Sequence, residues 1–238
     1  PASRLEEALQ IIRQCLTPTG TMSFQGEHFQ IDRLPLDLAP PKRRIPEIWI
    51  AAHGPRMLRL TGQYGDGWLP VAITDPADYG RRLATIRDAA QAAGRDPSAI
   101  RPAIQTYVVV APTEAEARAM LDSRVIRFVA VLAPAELWRQ AGVTHPFGDD
   151  FKGFVDFMPE HHSRADLDEA IASVPADALA SAIVWGTPEM VATRLREFGD
   201  AGARHVNLEL VSAAISRRAA LFGIRAAGQI AKRLRQPV

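Results

Sequence analysis

The chain has 238 residues, 47% of them hydrophobic and 23% charged, so it can bury a sizeable core and falls in the range of one globular domain. Its 28 basic and 27 acidic residues give a net charge of +1, so no strong positive field would attract nucleic acid. The single cysteine, Cys15, cannot form an internal disulfide, and no apolar run is long enough to span a bilayer. These features predict a protein of the reducing cytoplasm without a transmembrane segment.

The chain opens with the pattern of an amphipathic helix. Ser3 followed by Glu6 matches a capping box, and Pro18 and Gly20 end the helical pattern. Three prolines then forbid a continuous strand ladder in residues 21–44: Pro35, Pro40 and Pro41. This stretch is therefore predicted to be an irregular excursion, a loop with short strands.

From Glu47 the pattern changes to alternating strands and helices. Short apolar runs predict four strands, at residues 48–51, 68–72, 106–111 and 205–211. Helices are predicted to begin near Pro55, Asp75, Thr113, Thr187 and Ser212, and the one at Thr113 to run as a single long helix to Leu132. Strands that alternate with helices indicate an α/β fold with a parallel sheet. About four strands are half of the eight that close a (β/α)8 barrel of the TIM type.

The periodic pattern disappears between Gly142 and Ser163, among prolines, glycines and phenylalanines. Such a long irregular segment is uncommon unless it is functional. We interpret residues 142–182 as an insertion that acts as a lid, with Phe151 and Phe154 shielding an apolar substrate. The alternative is a satellite cluster that only covers helices. The other segments of this single predicted domain, 1–238, are residues 1–46, 47–141 and 183–238.

The turn after the strand at residues 48–51 has the chemistry of an anion site. Gly54 lets a ligand approach the backbone, and Pro55 starts a helix whose first amides and dipole attract an anion. Arg56 follows, and it could either pair with a phosphate or simply face solvent on the first helical turn. His53 stands at the carboxyl end of the strand, where barrels place their chemistry, but a lone histidine there is more often a hydrogen-bonded wall residue.

Three further patterns bear on function. His205, Asn207 and Glu209 alternate with apolar residues, so this polar set either points into the barrel interior or belongs to an ordinary half-exposed strand. His161 and His162 are adjacent and have no third ligand at a useful spacing, so no metal site is predicted. The basic last helix suits either docking on a membrane surface or the solvated face of an outer barrel helix.

Four segments resemble the luciferase-like superfamily of flavin and deazaflavin enzymes. Residues 48–70 read IWIAAHGPRMLRLTGQYGDGWLP and resemble its strand five, helix five and strand six. Residues 3–14, SRLEEALQIIRQ, are similar to the helix after its strand four, and residues 186–210, GTPEMVATRLREFGDAGARHVNLEL, to the helix and strand that end its barrel. Residues 141–160, AGVTHPFGDDFKGFVDFMPE, further resemble the phthiodiolone ketoreductase-like members.

The resemblance implies a partial barrel of about strands five to eight, because the match begins only after strand four. It also implies that coenzyme F420 lies across the carboxyl-terminal mouth, with its phosphate near the turn after strand five. The implied coenzyme contacts are Ala51, Ala52, His53, Gly54, Pro55 and Arg56. The predicted substrate contacts are Trp68, Pro70, Phe151 and Phe154. The acids of the family usually come from early strands, so no catalytic residue is assigned and this chain alone is predicted to have no turnover.

Three functions follow from these observations. The first is a coenzyme F420-dependent oxidoreductase, in particular a ketoreductase that transfers a hydride to a keto group of a small-molecule or lipid-like substrate. The second is an FMN-dependent monooxygenase of the same superfamily. The third is a non-catalytic half-barrel that acts as a binding or scaffolding module. A sheet with half of its strands leaves unpaired edges, which predicts a homo-oligomer.

Overall fold

A computed structural model describes residues 2–17, 20–36, 45–175, 179–180 and 182–236. Pro18, Pro40 and Pro41, at which the sequence predicts the end of the first helix and breaks in the excursion, lie outside these residues. The chain divides into two compact units. The first unit comprises Pro1–Val71, Asp75–Ile104 and Ala201–His205, and the second comprises Ala72–Thr74, Gln105–Asp200 and Val206–Val238.

The first unit combines a hairpin with the first parallel strands. Its described helices are α1 (Ala2–Leu16), α2 (Pro55–Tyr64) and α3 (Pro76–Ala92). Its strands are β1 (Thr21–Gln25), β2 (Gln30–Pro35), β3 (Trp49–Ile50), β4 (Gly67–Trp68) and the start of β5 (Arg101–Val110). β1 and β2 pair antiparallel, so the short strands predicted in the excursion are confirmed. β3 pairs parallel with β4, and β4 with β5.

The start of α1 differs from the sequence prediction. The helix begins at Ala2, so Ser3 lies inside it and the predicted capping box is wrong. The Ser3 hydroxyl instead hydrogen-bonds Nε2 of His28 at 2.7 Å. The Glu7 carboxylate accepts bonds from the backbone amides of residues 27 to 29, at 2.8 to 3.0 Å. Ser3 and Glu7, in the first two turns of α1, therefore attach the β1–β2 turn to this helix.

Asp66 joins the turn before β4 to its surroundings. Its Oδ1 accepts a hydrogen bond from Arg13 of α1 at 2.6 Å and lies 3.5 Å from Nη2 of Arg95, and its Oδ2 accepts one from the amide of Ile48 at 2.9 Å. Burial alone would raise the pKa of Asp66, but the bonds from Arg13 and Ile48 outweigh it and hold that pKa below its usual value. The short predicted GDGW turn is thus a structural joint that starts β4.

The second unit contains the rest of β5, β6 (Val184–Gly186) and most of β7 (His205–Glu209). Its described helices are α4 (Glu114–Leu121), α5 (Arg124–Val131), α6 (Ala135–Gln140), α7 (Arg164–Ala172), α8 (Pro188–Asp200) and α9 (Arg217–Leu234). β6 pairs parallel with β5, with Val108 opposite Val184, and β7 also pairs with β5. The three-residue strand β6 was not predicted.

The single long helix predicted from Thr113 to Leu132 is wrong. Thr113 does cap a helix, since its hydroxyl accepts a bond from the Glu116 amide at 3.2 Å. The chain breaks after α4, and the hydroxyl of Ser123 accepts from the Ile126 amide at 3.4 Å to begin α5. The apolar positions stay in helical register across the break, so periodicity alone did not reveal it.

Alternate residues of β5 feed two apolar clusters in the second unit. Val108 and Val110 belong to a cluster with residues of α8 and α9, among them Leu195 and Ile230. Val109 points to the other face and joins a cluster built mainly from α4 to α7. Both faces of this half of the strand are therefore buried, as is usual for a parallel strand covered by helices on both sides.

The parallel strands form an open sheet. Their order is β3-β4-β5-β6, with β7 also paired to β5, and no pairing among the described residues closes them into a ring. The predicted α/β class with an incomplete parallel sheet is confirmed. Within the same described residues, no helix has the length and apolar character needed to cross a membrane.

Candidate functional site

The turn between β3 and α2 lies at the carboxyl end of a parallel strand. Ala52 is buried there, while Ala51, His53 and Gly54 are exposed. Gly54 is the N-cap of α2 and offers no side-chain bond to the first turn of the helix. The backbone amides of Arg56 and Met57 therefore receive no cap from it, and a helix start of this kind attracts an anion.

Gly54 is not required by the fold of the chain itself. Its backbone has φ −76° and ψ 154°, a conformation open to any residue. A Cβ built on it would have no heavy atom within 4 Å. The space in front of the helix start is thus open, and a side chain at position 54 would project into that space rather than into the protein. The open helix start leaves room for a ligand to approach the backbone.

Trp68 supports the turn from inside the first unit. Its indole Nε1 donates a hydrogen bond to the carbonyl of Ala52 at 3.0 Å, and its ring stacks on Tyr79 with centroids 4.7 Å apart. The Tyr79 hydroxyl in turn donates to the carbonyl of Ala103 at 3.0 Å. Trp68 is fully buried, and Pro70 is buried as well. Their predicted contacts with substrate stay predictions, whereas the bond from Trp68 to the turn is observed.

Arg82 of α3 is a residue of this site that the sequence analysis missed. Its Nη1 donates to the carbonyl of His53 at 3.1 Å and lies 3.4 Å from Nδ1 of the imidazole. Asp78 orients the guanidinium, since Oδ2 accepts from Nε of Arg82 at 2.7 Å. The only available signal was the acid-first spacing of Asp78 and Arg82, four residues apart on a helix, and that pattern is common on solvated faces.

His53 has the character of a neutral wall residue. Although part of its surface is exposed, desolvation lowers the pKa of His53, and the charge of Arg82 lowers it further against the opposing effect of Asp78. A guanidinium directed at Nδ1 favours the tautomer that carries its proton on Nε2. These contacts agree with the interpretation of His53 as a hydrogen-bonded wall residue rather than as an acid catalyst.

Arg56 has a partner in its own unit. Its Nη2 lies 3.6 Å from Oε2 of Glu6, and both side chains are partly exposed. An exposed ion pair of this length is weak and can exchange for another anion. The Arg56 guanidinium is therefore solvated and lies in the first turn of α2, next to the open helix start.

The polar residues of β7 point away from the helices. In the second unit, Val206 and Leu208 pack on the apolar cluster of α8 and α9, which leaves Asn207 and Glu209 on the opposite, exposed face. Asn207 Nδ2 donates to Oε1 of Gln105 on β5 at 3.2 Å. The face opposite the helices is the interior in a (β/α) barrel, so this arrangement favours the interior placement of the polar set.

The insertion is organised around a buried histidine. His145 is 2% exposed, stacks on Phe151 with centroids 4.5 Å apart, and meets Trp138 of α6 edge-on at 4.8 Å. The rings of Phe157 and Phe128 of α5 meet edge to face, with their centroids 5.9 Å apart. These rings cover helices, as the satellite-cluster alternative predicts. Three apolar side chains of the same segment remain exposed, however: Phe154 (75%), Val155 (78%) and Met158 (45%).

The stability of the insertion should depend on pH through His145. Nε2 donates to the carbonyl of Val131 at 3.0 Å and Nδ1 accepts from the amide of Phe147 at 3.0 Å, so the neutral ring uses both nitrogens. Burial lowers the pKa of His145 below its ordinary 6.5. As the pH falls below 6.5, the unfolded chain binds the proton more readily than the folded chain does. The free energy of unfolding should therefore decrease below pH 6.5, and the contribution of His145 to stability should be complete above that pH.

We expect His145→Phe to reduce the difference in the free energy of unfolding between pH about 8 and about 5.5, measured by urea unfolding at each pH. Ordinary carboxylates titrate below this range of pH. The variant should be less stable than the parent at the higher pH, because Val131 and Phe147 lose their partner. His161→Gln, at an exposed position, is the control and should keep the parental slope. A parental slope in His145→Phe would contradict the assignment.

Among the described residues, no group of three or more His, Cys, Asp and Glu side chains could hold a metal ion. The predicted site residues fall in both units. Ala51 to Arg56, Trp68 and Pro70 lie in the first, where Trp68 bonds directly to the turn, and Phe151 and Phe154 lie in the second.

Comparison with known proteins gives a family and several relatives. The family model described as luciferase-like monooxygenase matches residues 1–205. The phthiodiolone/phenolphthiodiolone dimycocerosates ketoreductase of Mycobacterium tuberculosis is 38% identical over 209 residues, which are 87% of this chain and 55% of that protein. The F420-dependent hydroxymycolic acid dehydrogenase of the same species is 41% identical over 116 residues, 49% of this chain and 31% of that protein. The chain spans about half the length of the ketoreductases that it matches.

Solved structures share the fold. An F420-dependent secondary alcohol dehydrogenase in complex with an F420-acetone adduct superposes with a TM-score of 0.71 at 21% identity, over 97% of this chain and 61% of that one. The coenzyme F420-dependent tetrahydromethanopterin reductase from Methanopyrus kandleri gives 0.66 at 22% identity, over 87% of this chain and 57% of that one. At these identities the likeness concerns the fold, and it confirms the predicted barrel type of which this sheet is a part.

Proposed function

This chain belongs to the luciferase-like monooxygenase family, and on that premise we propose that it is the carboxyl-terminal part of a coenzyme F420-dependent ketoreductase. The reaction is the transfer of a hydride to a keto group of an apolar or lipid-like substrate. The relatives with 38% and 41% identity support this choice, since one is named a ketoreductase and the other an F420-dependent dehydrogenase. The open helix start at Gly54 is the structural observation that carries the coenzyme part of the proposal.

The residues from Ala51 to Arg56 fit the phosphate of such a coenzyme. The amides of Arg56 and Met57 would donate hydrogen bonds to the phosphate. The Arg56 guanidinium would leave Glu6 and pair with the phosphate instead. Arg82 fixes the carbonyl of His53 and so positions the turn. Bound coenzyme F420 would supply a hydride at its ring, while these residues hold and orient it.

FMN is the alternative coenzyme. It also presents a phosphate, so the turn would accept either molecule, and a family-level match includes monooxygenases. The names of the two mycobacterial relatives favour F420. The two coenzymes differ in their rings, and direct titration of the chain with each of them separates the alternatives.

The substrate side of the proposal rests on the insertion. Phe154 is 75% exposed beside a buried aromatic cluster, which suits an alkyl chain more than a polar metabolite. Phe151 stacks on His145 and would set the position of this segment. Trp68 and Pro70, both buried, would line the substrate space only by their backbone or after a rearrangement.

Three further proposals concern the protein as a whole. Residues 1–238 form part of one barrel domain with the four segments given above, 1–46, 47–141, 142–182 and 183–238. Within the part of the chain that the structure describes, the edge strands of the open sheet have no further partner, which favours a homo-oligomer. A single cysteine and a balanced charge suit the reducing cytoplasm. The third candidate, a non-catalytic half-barrel, is favoured by the open sheet alone.

A chimera tests the activity. We expect the 238-residue chain alone to show no turnover, because catalytic acids of early strands are not assigned to it. When this chain replaces the matching part of the mycobacterial ketoreductase, the chimera should oxidise reduced coenzyme F420 in the presence of a long-chain ketone, followed by the absorbance of the oxidised coenzyme. A folded chimera that binds FMN and not F420 would contradict the proposal, as would ketone reduction by the chain alone at the rate of the intact ketoreductase.

A further inference from the structure

The helix α9 presents an exposed face on which every charged residue is basic. It contains no Asp or Glu between Arg217 and Leu234. Its exposed basic residues are Arg217, Arg218, Arg225 and Lys232, with Arg235 just beyond its end. The buried residues Ala219, Gly223, Ala226 and Ile230 fix the opposite face on the second unit. The positive charges therefore share one solvated side of a well-packed helix.

Two large aliphatic side chains stand in the middle of these charges. Leu221 is 61% exposed and Ile224 is 68% exposed. Nine positions separate Leu221 from the fully buried Ile230, which is about two and a half helical turns, so the two side chains point in opposite directions. Leu221 is thus not the edge of the core but the centre of the exposed face, with Ile224 beside it.

We propose that this face of α9 docks on an anionic lipid surface. Several cations without a neighbouring acid on the helix complement negative headgroups, and the aliphatic pair can enter the boundary between headgroups and acyl chains. Two other partners fit less well. Nucleic acid would use the cations but leave Leu221 and Ile224 without a role, and a second copy of the same face would bring like charges together.

The helix is held in place for such contact by its own unit. Ser216 caps its start by accepting from the Ala219 amide at 3.1 Å. Arg196 of α8 donates to the carbonyl of Arg233 at 2.8 Å near its end. The carboxylate of Glu116 lies close to the basic face, with Oε1 3.8 Å from Nη2 of Arg218, and both side chains are exposed. The docking face needs no folding on binding, and the proposal is independent of the enzymatic activity.

Sedimentation with lipid vesicles tests the proposal on the 238-residue chain. We expect the chain to bind vesicles that contain about one-third phosphatidylglycerol and not vesicles of phosphatidylcholine alone. Leu221→Ser with Ile224→Ser should weaken binding at least about tenfold, because two aliphatic side chains no longer leave water. Arg225→Glu with Lys232→Glu should abolish it. The control, Arg59→Glu with Arg87→Glu, makes the same charge change at exposed sites of the first unit and should have little effect.

Three outcomes would overturn the proposal. Equal binding to both vesicle types, or none, removes the role of anionic lipid. The serine variant of Leu221 and Ile224 could still bind anionic vesicles, with heparin, a soluble polyanion, competing for that binding. This result would mean that the face is a purely electrostatic surface. Self-association without lipid that disappears in the serine variant means that the face joins two copies of the chain. Circular dichroism of each variant shows that the fold is retained.

Discussion

Gly54→Val is expected to lower the affinity of the chain for coenzyme F420 at least about tenfold, which is about 1.4 kcal/mol, while the fold stays intact. The valine side chain meets no atom of the protein, because a Cβ at this position has nothing within 4 Å. It also suits the extended backbone at φ −76° and ψ 154°. The added atoms instead occupy the space in front of the Arg56 and Met57 amides, where the coenzyme phosphate would lie.

The matched control is Gly228→Val on α9, a glycine that also has no heavy atom within 4 Å of an added Cβ. Fluorescence titration of each variant with oxidised coenzyme F420 gives the affinity, and thermal unfolding gives the stability. Gly228→Val should bind like the parent chain. If Gly54→Val bound equally well, the phosphate would not lie at this helix start, and the proposed coenzyme site would be wrong even with the family membership unchanged.

The sequence predicted the strands and the turn because their signals are local. The apolar run at residues 48–51 and Pro55 at the helix start are properties of neighbouring residues, and the structure has β3 and α2 there. The same local rules failed at Ser3, where the hydroxyl serves His28 rather than a helix amide. They also failed at Ser123, where a new cap interrupts a continuous apolar face.

The parts of the site that the sequence did not reveal depend on contacts between distant residues. Arg82 reaches His53 from 29 positions away, and Trp68 reaches Ala52 from 16. A single sequence shows neither pairing, since an arginine on a helix and a tryptophan in a strand are ordinary in many contexts. The sequence predicts a substrate contact for Trp68, but the ring is fully buried in the structure and stacks on Tyr79 of α3.

The turn that carries Gly54 is positioned by the close packing of α2 against α3. Gly62 of α2 faces α3, and a Cβ built on it would overlap the carbonyl oxygen of Ile86 and lie 2.8 Å from both the Ala89 Cβ and the Ala90 amide nitrogen. Two of these three atoms belong to the backbone of α3, so no side-chain rotation can relieve the overlap. The helices would have to separate, and α2 would carry Gly54 with it.

Gly62→Ala is therefore expected to lower the free energy of unfolding by about 3 kcal/mol, at the upper end of overpacking costs. The change would be opposite in sign to that of an ordinary helical glycine, for which alanine adds about 1 kcal/mol of helix propensity. Urea unfolding of the 238-residue chain measures the difference. Coenzyme affinity should fall as well, because the start of α2 moves with the helix.

Gly80→Ala is the internal comparison, because Gly80 lies within α3 and its added Cβ would be 3.6 Å from the carbonyl oxygen of Ala201, an ordinary van der Waals distance. This variant should unfold at the same or a higher urea concentration than the parent. Equal stability of Gly62→Ala and Gly80→Ala would mean that α2 and α3 can separate at little cost. The packing of these helices would then not determine the position of the turn at Gly54.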